Sequence, residues 1–160
     1  MVTTGKDIAR NVKTAYALMH RQTQSLLSRH DITADQYVLL ALLSAEDGVT
    51  QQALTTRAAS DPNTVRAMLV LLEKKGLVAR KPHNTDRRAR RVLLTANGRR
   101  TYQKLASTLA PLQDALRSPF SEQEASAFVD ALHRFCEVMR QWASDAGPQR
   151  IPLAFQRTKD

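Results

Sequence analysis

Apolar positions recur along most of this chain with the spacing of a helix. From about Lys6 to His30, the residues Ile8, Val12, Ala15, Met19, Leu26 and Leu27 keep roughly helical phase, which predicts one long amphipathic helix. Thr33 followed by Gln36 reads as a capping box that opens a second helix. The body of that helix, Tyr37-Val38-Leu39-Leu40-Ala41-Leu42-Leu43, is apolar all round and is predicted to lie at the centre of the fold. Gly48 ends this unit. Thr50 then caps a short helix from Gln51 to Ala58, and Ser60-Asp61-Pro62 stops it and starts the next. Asp61 suits an N-cap, and Pro62 suits the first helical position, where its missing N–H needs no partner. The helix that follows, Asn63 to Lys75, is predicted to bury Val65, Met68, Leu69 and Leu72, with Gly76 as its left-handed C-terminal cap. Two short helices joined by a tight turn form a helix-turn-helix.

The period then changes. Leu77–Arg80 and Arg91–Leu94 read as two short strands linked by a polar loop with Pro82, Asn84 and Asp86, which makes a β-hairpin wing. Thr95 caps a helix from about Ala96 to Leu116, with an apolar seam of Leu105, Leu109, Leu112 and Leu116. Pro111 inside that pattern is expected to kink or break the helix. Ser121 to Glu124 is a second capping box. It opens a final helix whose Phe128, Leu132, Phe135, Met139 and Trp142 alternate at spacings of four and three, a coiled-coil-like seam. Gly147-Pro148 ends it, and the apolar tail from Ile151 to Phe155 is expected to pack across a partner subunit. The predicted fold is mainly α with a small β-hairpin wing. A winged helix-turn-helix DNA-binding domain spans 33–95, dimerisation helices span 6–30 and 96–146, and a C-terminal tail spans 147–160. The terminal helices need something to bury against, and a second copy of the chain is the economical answer.

Charge adds a partner to this picture. The 160 residues carry a net +9, and between Arg80 and Arg100 eight arginines and lysines face one acid, a local +7. Charge this concentrated beside a helix-turn-helix argues for an anionic polymer. An apolar content of 42% excludes a disordered basic tail. No apolar run approaches the roughly 18 residues of a membrane span, and the first residues lack a signal-peptide core, so the expected location is the cytoplasm. Cys136 is the single cysteine, which excludes an intrachain disulfide, and it is expected to fill a small apolar position on its helix. The four histidines, His20, His30, His83 and His133, are scattered without metal-ligand spacing. There is no glycine-rich phosphate loop, and the cysteine has no plausible catalytic partner. The expectation is therefore no catalytic residue, no metal and no cofactor.

The candidate chemistry lies on two elements. Asn63, Thr64 and Arg66 occupy the first turns of the second short helix, where side chains of a recognition helix reach base edges in the major groove. Arg66 suits a bidentate contact to guanine and Asn63 one to adenine, while Thr64 suits a phosphate. On the wing, Asp86, Arg87, Arg88, Arg90 and Arg91 crowd a short stretch. Arginines there repel one another unless a polyanion neutralises them, and in a narrow minor groove they read width and potential. Asp86 is expected to orient Arg88 through a charge-assisted pair. Two other readings of the same residues are a sequence-independent architectural DNA binder and a winged-helix module for protein assembly.

Five segments in order carry a family resemblance: Ile32-Thr33-Ala34-Asp35-Gln36, Asp61-Pro62-Asn63-Thr64-Val65, Leu72 to Arg80, Asp86-Arg87-Arg88, and Leu94-Thr95-Ala96-Asn97-Gly98. Together they resemble the MarR family of winged helix-turn-helix transcriptional regulators, and Phe120 to Glu124 is similar to that family's last-helix opening. The resemblance implies an obligate homodimer with interlocked terminal helices, bound to pseudo-palindromic operators in double-stranded DNA, with Asp86 and Arg88 at the wing tip. It also implies release by a small-molecule effector, an aromatic or anionic compound or an aryl-coenzyme A thioester. By position, Tyr16, His20, Arg21 and Tyr37 would line the effector pocket. The family's thiol sensors carry their cysteine in the first helix, and this first helix has none. Pro111 and the apolar tail depart from the family pattern.

Overall fold

In the computed structural model, residues 3–82 and 90–145 are described. They divide into two compact units, residues 1–114 and 115–160. The first holds α1 (Gly5–Leu27), a 3-10 turn at Ser28–His30, α2 (Ala34–Ala45), β1 (Val49–Thr50), α3 (Gln51–Arg57), α4 (Pro62–Lys74), β2 (Val78–Pro82), β3 (Arg90–Leu94) and most of α5 (Ala96–Arg117). The second holds the end of α5 and α6 (Glu122–Asp145).

The helices begin where a side chain can satisfy backbone N–H groups that have no intrahelical partner. Thr33 accepts from the Gln36 amide at 3.1 Å while the Gln36 side chain accepts from the Thr33 amide at 3.2 Å. Ser121 and Glu124 form the same reciprocal box for α6. Thr4 and Asp7 form a third at the start of α1, one that the sequence reading passed over. Thr95 Oγ1 accepts from the Gly98 amide at 2.9 Å and donates to the Gly76 carbonyl at 2.7 Å, so one hydroxyl ties the start of α5 to the turn after α4. That turn needs φ +67 at Gly76, where a residue without a Cβ meets no steric penalty. Asp31 and Ala59 also take positive φ, at the end of the 3-10 turn and in the turn between α3 and α4.

The core of the first unit gathers Leu39, Leu40 and Leu43 of α2, Leu54 of α3, and Val65, Leu69 and Leu72 of α4, with Leu77, Val78, Val92, Leu94, Leu105 and Leu109. Burying one such leucine is worth about 1.5–3 kcal/mol. The α4 positions follow an i, i+4, i+7 spacing, so one face is locked inward and the opposite face is turned to solvent. In the second unit Phe120 and Phe128 stack with ring centroids 5.4 Å apart. Much of the predicted α6 seam is still open on the single chain: Phe128 is 49% exposed, Met139 47% and Trp142 72%, while Leu132 and Phe135 are half-buried.

Five expectations change. The β2–β3 hairpin of the wing forms, but it gains a third strand, because β1 joins it in an antiparallel sheet of order β1-β3-β2, with Val49 opposite Val92. Two residues are too few for a period-2 pattern to register. Pro111 does not break α5, which runs through it to Arg117. The proline is exposed, so the carbonyl freed by its missing N–H can turn to water. The apolar run of α2 is not buried on all sides, since Val38 stays exposed. Leu116, the last position of the expected α5 seam, is exposed too. Cys136 is exposed, not a filler in the core of this chain. The tail at 147–160 lies outside the described residues.

Candidate nucleic-acid interface and effector surface

The exposed end of α4 is fixed by its cap. Asp61 Oδ1 accepts from the amides of Asn63 at 3.0 Å and Thr64 at 2.9 Å. Thr64, ahead of the other backbone bonds, holds the Asp61 carboxyl below its usual range. Thr64 is thus engaged within the cap. Asn63, Thr64 and Arg66 are all exposed. Asn63 and Arg66, three residues apart, share one side of the helix.

The wing root is built from both sides of β3. Val78, Arg80 and Pro82 of β2 lie opposite Leu94, Val92 and Arg90 of β3. Because side chains alternate across a strand, Arg80 and Arg90 share the face that carries the buried Val78, Val92 and Leu94. There Arg80 is held by Glu73 of α4, with Nε to Oε2 at 2.9 Å and Nη2 on the same oxygen. These bonds hold the Glu73 carboxyl below its usual range. At the other end of β3, Asp47 Oδ1 accepts from the Leu94 amide at 2.9 Å while Oδ2 pairs with Arg99. Arg91 Nε donates to the Gly48 carbonyl at 2.8 Å. The basic run is therefore not uniformly available to a polyanion: Arg80 and Arg99 are paired within the chain and Arg91 braces the loop before β1. Arg90 is exposed. Asp86, Arg87 and Arg88 lie outside the described residues.

Sequence reasoning missed Glu73 and Asp47. Glu73 stands in the Leu72-to-Gly76 stretch quoted for the resemblance, but its partner comes within reach only when the Gly76 turn folds β2 back along α4. Asp47 gave no local signal, since Arg99 is 52 residues away.

The expected effector residues separate into two places. Tyr16, His20 and Arg21 line an open concavity of about 830 Å³ along α1, together with Lys13 and Gln24. The Tyr16 and His20 rings lie 5.5 Å apart. His20 Nε2 is 3.3 Å from Asp35 Oδ1, and Gln24 accepts from the Ala34 amide at 2.9 Å, so this side of α1 is tied to the first turn of α2. Tyr37 does not line the concavity. It stacks on Tyr102 at 5.8 Å against the core, and burial, then that neighbour, push its phenol above the ordinary range. Among the described residues no cluster of three metal-ligating side chains occurs, and no helix is long and apolar enough to cross a membrane.

The sequence pattern of the MarR family matches residues 32–89. The transcriptional regulator HosA of Escherichia coli is 32% identical over 108 residues, which make up 65% of this chain and 77% of that protein. Among solved structures, MepR of S. aureus in its DNA-binding conformation is similar with a TM-score of 0.77 at 25% identity, covering 82% of this chain and 98% of that one. PcaV of Streptomyces coelicolor in complex with its natural ligand gives 0.67 at 24% identity, covering 86% and 98%.

Proposed function

The chain belongs to the MarR family of winged helix-turn-helix transcriptional regulators, and on that premise we propose that it is a cytoplasmic, homodimeric repressor released from a pseudo-palindromic operator by a small aromatic or anionic effector or an aryl-coenzyme A thioester. The observation that carries this reading is the divided character of α4. Val65, Leu69 and Leu72 lock one face into the core, while Asn63, Thr64 and Arg66 face solvent at its capped N-terminal end, and Glu73 near its C-terminal end ties the helix to Arg80 of the basic hairpin. A rigid helix with polar groups on its exposed first turns fits the major groove, and Arg87, Arg88 and Arg90 would then grip the narrow groove, with Asp86 orienting Arg88. Two such helices about 34 Å apart meet successive major grooves on one side of the duplex. The open apolar surface of α6 supports a second copy as its cover.

The concavity along α1 supports an effector role. Tyr16 offers a ring, His20 a hydrogen-bonding imidazole, and Lys13 and Arg21 offer the cations that an aromatic acid or a phosphate-bearing thioester would need. Because the same stretch of α1 is bonded to α2, a ligand that prefers one arrangement of the two helices would bias the spacing of the recognition helices. The similarity to PcaV with its natural ligand is consistent with this.

The test is an anisotropy titration against duplexes selected from a random pool. If a dimer neutralises about eight phosphates, the logarithm of affinity should fall with the logarithm of salt at a slope of about −7. Aromatic acids added to the same titration should release the duplex. A slope near zero removes the electrostatic basis of the proposal.

A further inference from the structure

Glu73 is an anionic side chain at the root of a basic wing. Its carboxylate takes two bonds from Arg80, and Glu73, Arg80 and Arg90 line one open polar hollow of about 340 Å³. The Arg80 side chain is 27% exposed and that of Glu73 37%. Arg90, on the same face two positions nearer the wing loop, is exposed. For bare attraction to DNA this arrangement is a handicap, because it adds a negative charge near a polyanion and occupies a guanidinium that could meet a phosphate. Discrimination is a different quantity. Binding to arbitrary sequence comes almost wholly from phosphate contacts, and each mobile arginine strengthens it on every sequence alike. In a specific complex the base contacts fix where the protein sits on the duplex, so an arginine free to find a phosphate gains less there than on arbitrary sequence, and holding it back lowers the background more than the specific signal.

We infer that Glu73 is a specificity-determining positioning residue: it holds Arg80 against α4, which pins the wing root to the recognition helix and withholds that guanidinium from phosphates, leaving Arg90 as the cation that this face of the root presents. The inference rests on the operator-binding reading above. Neutralising Glu73 frees Arg80 while keeping the side chain's size. In the intact protein, Glu73→Gln is expected to tighten binding to a random-sequence duplex and steepen its salt slope by about 0.9 per added phosphate, hence about 2 for a dimer. The ratio of operator to random-sequence affinity should fall roughly tenfold. Adding Glu73→Gln to Arg80→Gln should leave the slope where Arg80→Gln set it, because the freed cation is gone.

A purely structural role would lower the melting temperature and leave the slope alone, and that result overturns the inference. If Glu73→Gln does not fold, Arg80→Gln by itself decides: its slope on random-sequence DNA should equal that of the unsubstituted protein, and a slope shallower by about 2 would show Arg80 already on phosphate. Failure of the unsubstituted protein to bind any duplex overturns the operator reading, and this inference with it. Binding with an unmoved slope in Glu73→Gln overturns this inference alone.

Discussion

Asn63 and Arg66 differ from the arginines of the wing in what they can add to a complex. They stand on a helix whose other face is fixed, so their reach is set by backbone position. Such residues suit base edges, whereas Arg90, at the start of β3, suits phosphate or a narrow groove. Arg66→Ala should cost about 1–3 kcal/mol on the operator and relax preference at one base position. Equal loss on every sequence in a competition assay would assign Arg66 to phosphate instead. A second residue-scale prediction concerns stability alone. A Cβ at Gly98 would strike the Leu77 carbonyl, which already accepts the Thr95 amide at 3.1 Å. Because the obstacle is backbone, Gly98→Ala should lose about 1–3 kcal/mol. Urea denaturation should show a lower midpoint with an unchanged m-value, and an unchanged midpoint would mean that the turn gives way freely.

Among the elements, α4 depends on its cap for the position of its first turn. Hydrogen bonds from Thr64 and the backbone lower the Asp61 carboxyl in the folded chain, so its contribution to stability is present above the ordinary aspartate value, about 4, and fades as pH falls through the lower folded value. Asparagine caps nearly as well and does not titrate. In thermal melts between about pH 6 and pH 3, the unsubstituted protein should lose ground to Asp61→Asn on acidification. Glu73 titrates with the same sign in both proteins and cancels in the difference. Parallel curves would show that the carboxylate adds nothing as a charge. Caps of this kind were legible in the sequence, since Thr33 with Gln36 and Ser121 with Glu124 stand three residues apart. Pro111 was misleading for a matching reason: its local rule holds, but its place on an exposed face of α5 leaves the helix able to continue.

For the whole molecule, the proposal turns on a second copy. Trp142 is the single tryptophan of the chain and is 72% exposed on one copy. If α6 is covered in a dimer, the emission of the folded protein should lie to the blue of an exposed indole. Dilution through the dissociation range should move it to the red, in step with the midpoint from analytical ultracentrifugation. Red emission at concentrations where sedimentation finds a dimer would place the interface elsewhere.

The sequence by itself determined the order of helices, their caps, the helix-turn-helix and the pair of wing strands, because these rest on neighbours within a turn or two along the chain. It also placed Asn63, Thr64 and Arg66 on an exposed helix start, since the core period of α4 leaves them nowhere else to point. Only the tertiary structure decided which arginines are occupied, as Asp47 meets Arg99 and Glu73 meets Arg80 only once the chain has folded back on itself. It also separated Tyr37 from Tyr16, His20 and Arg21 and added β1 to the wing. The physical reason is range: capping and periodicity are settled by bonds a few residues long, whereas ion pairing, stacking and strand addition need residues that only the packed core brings together.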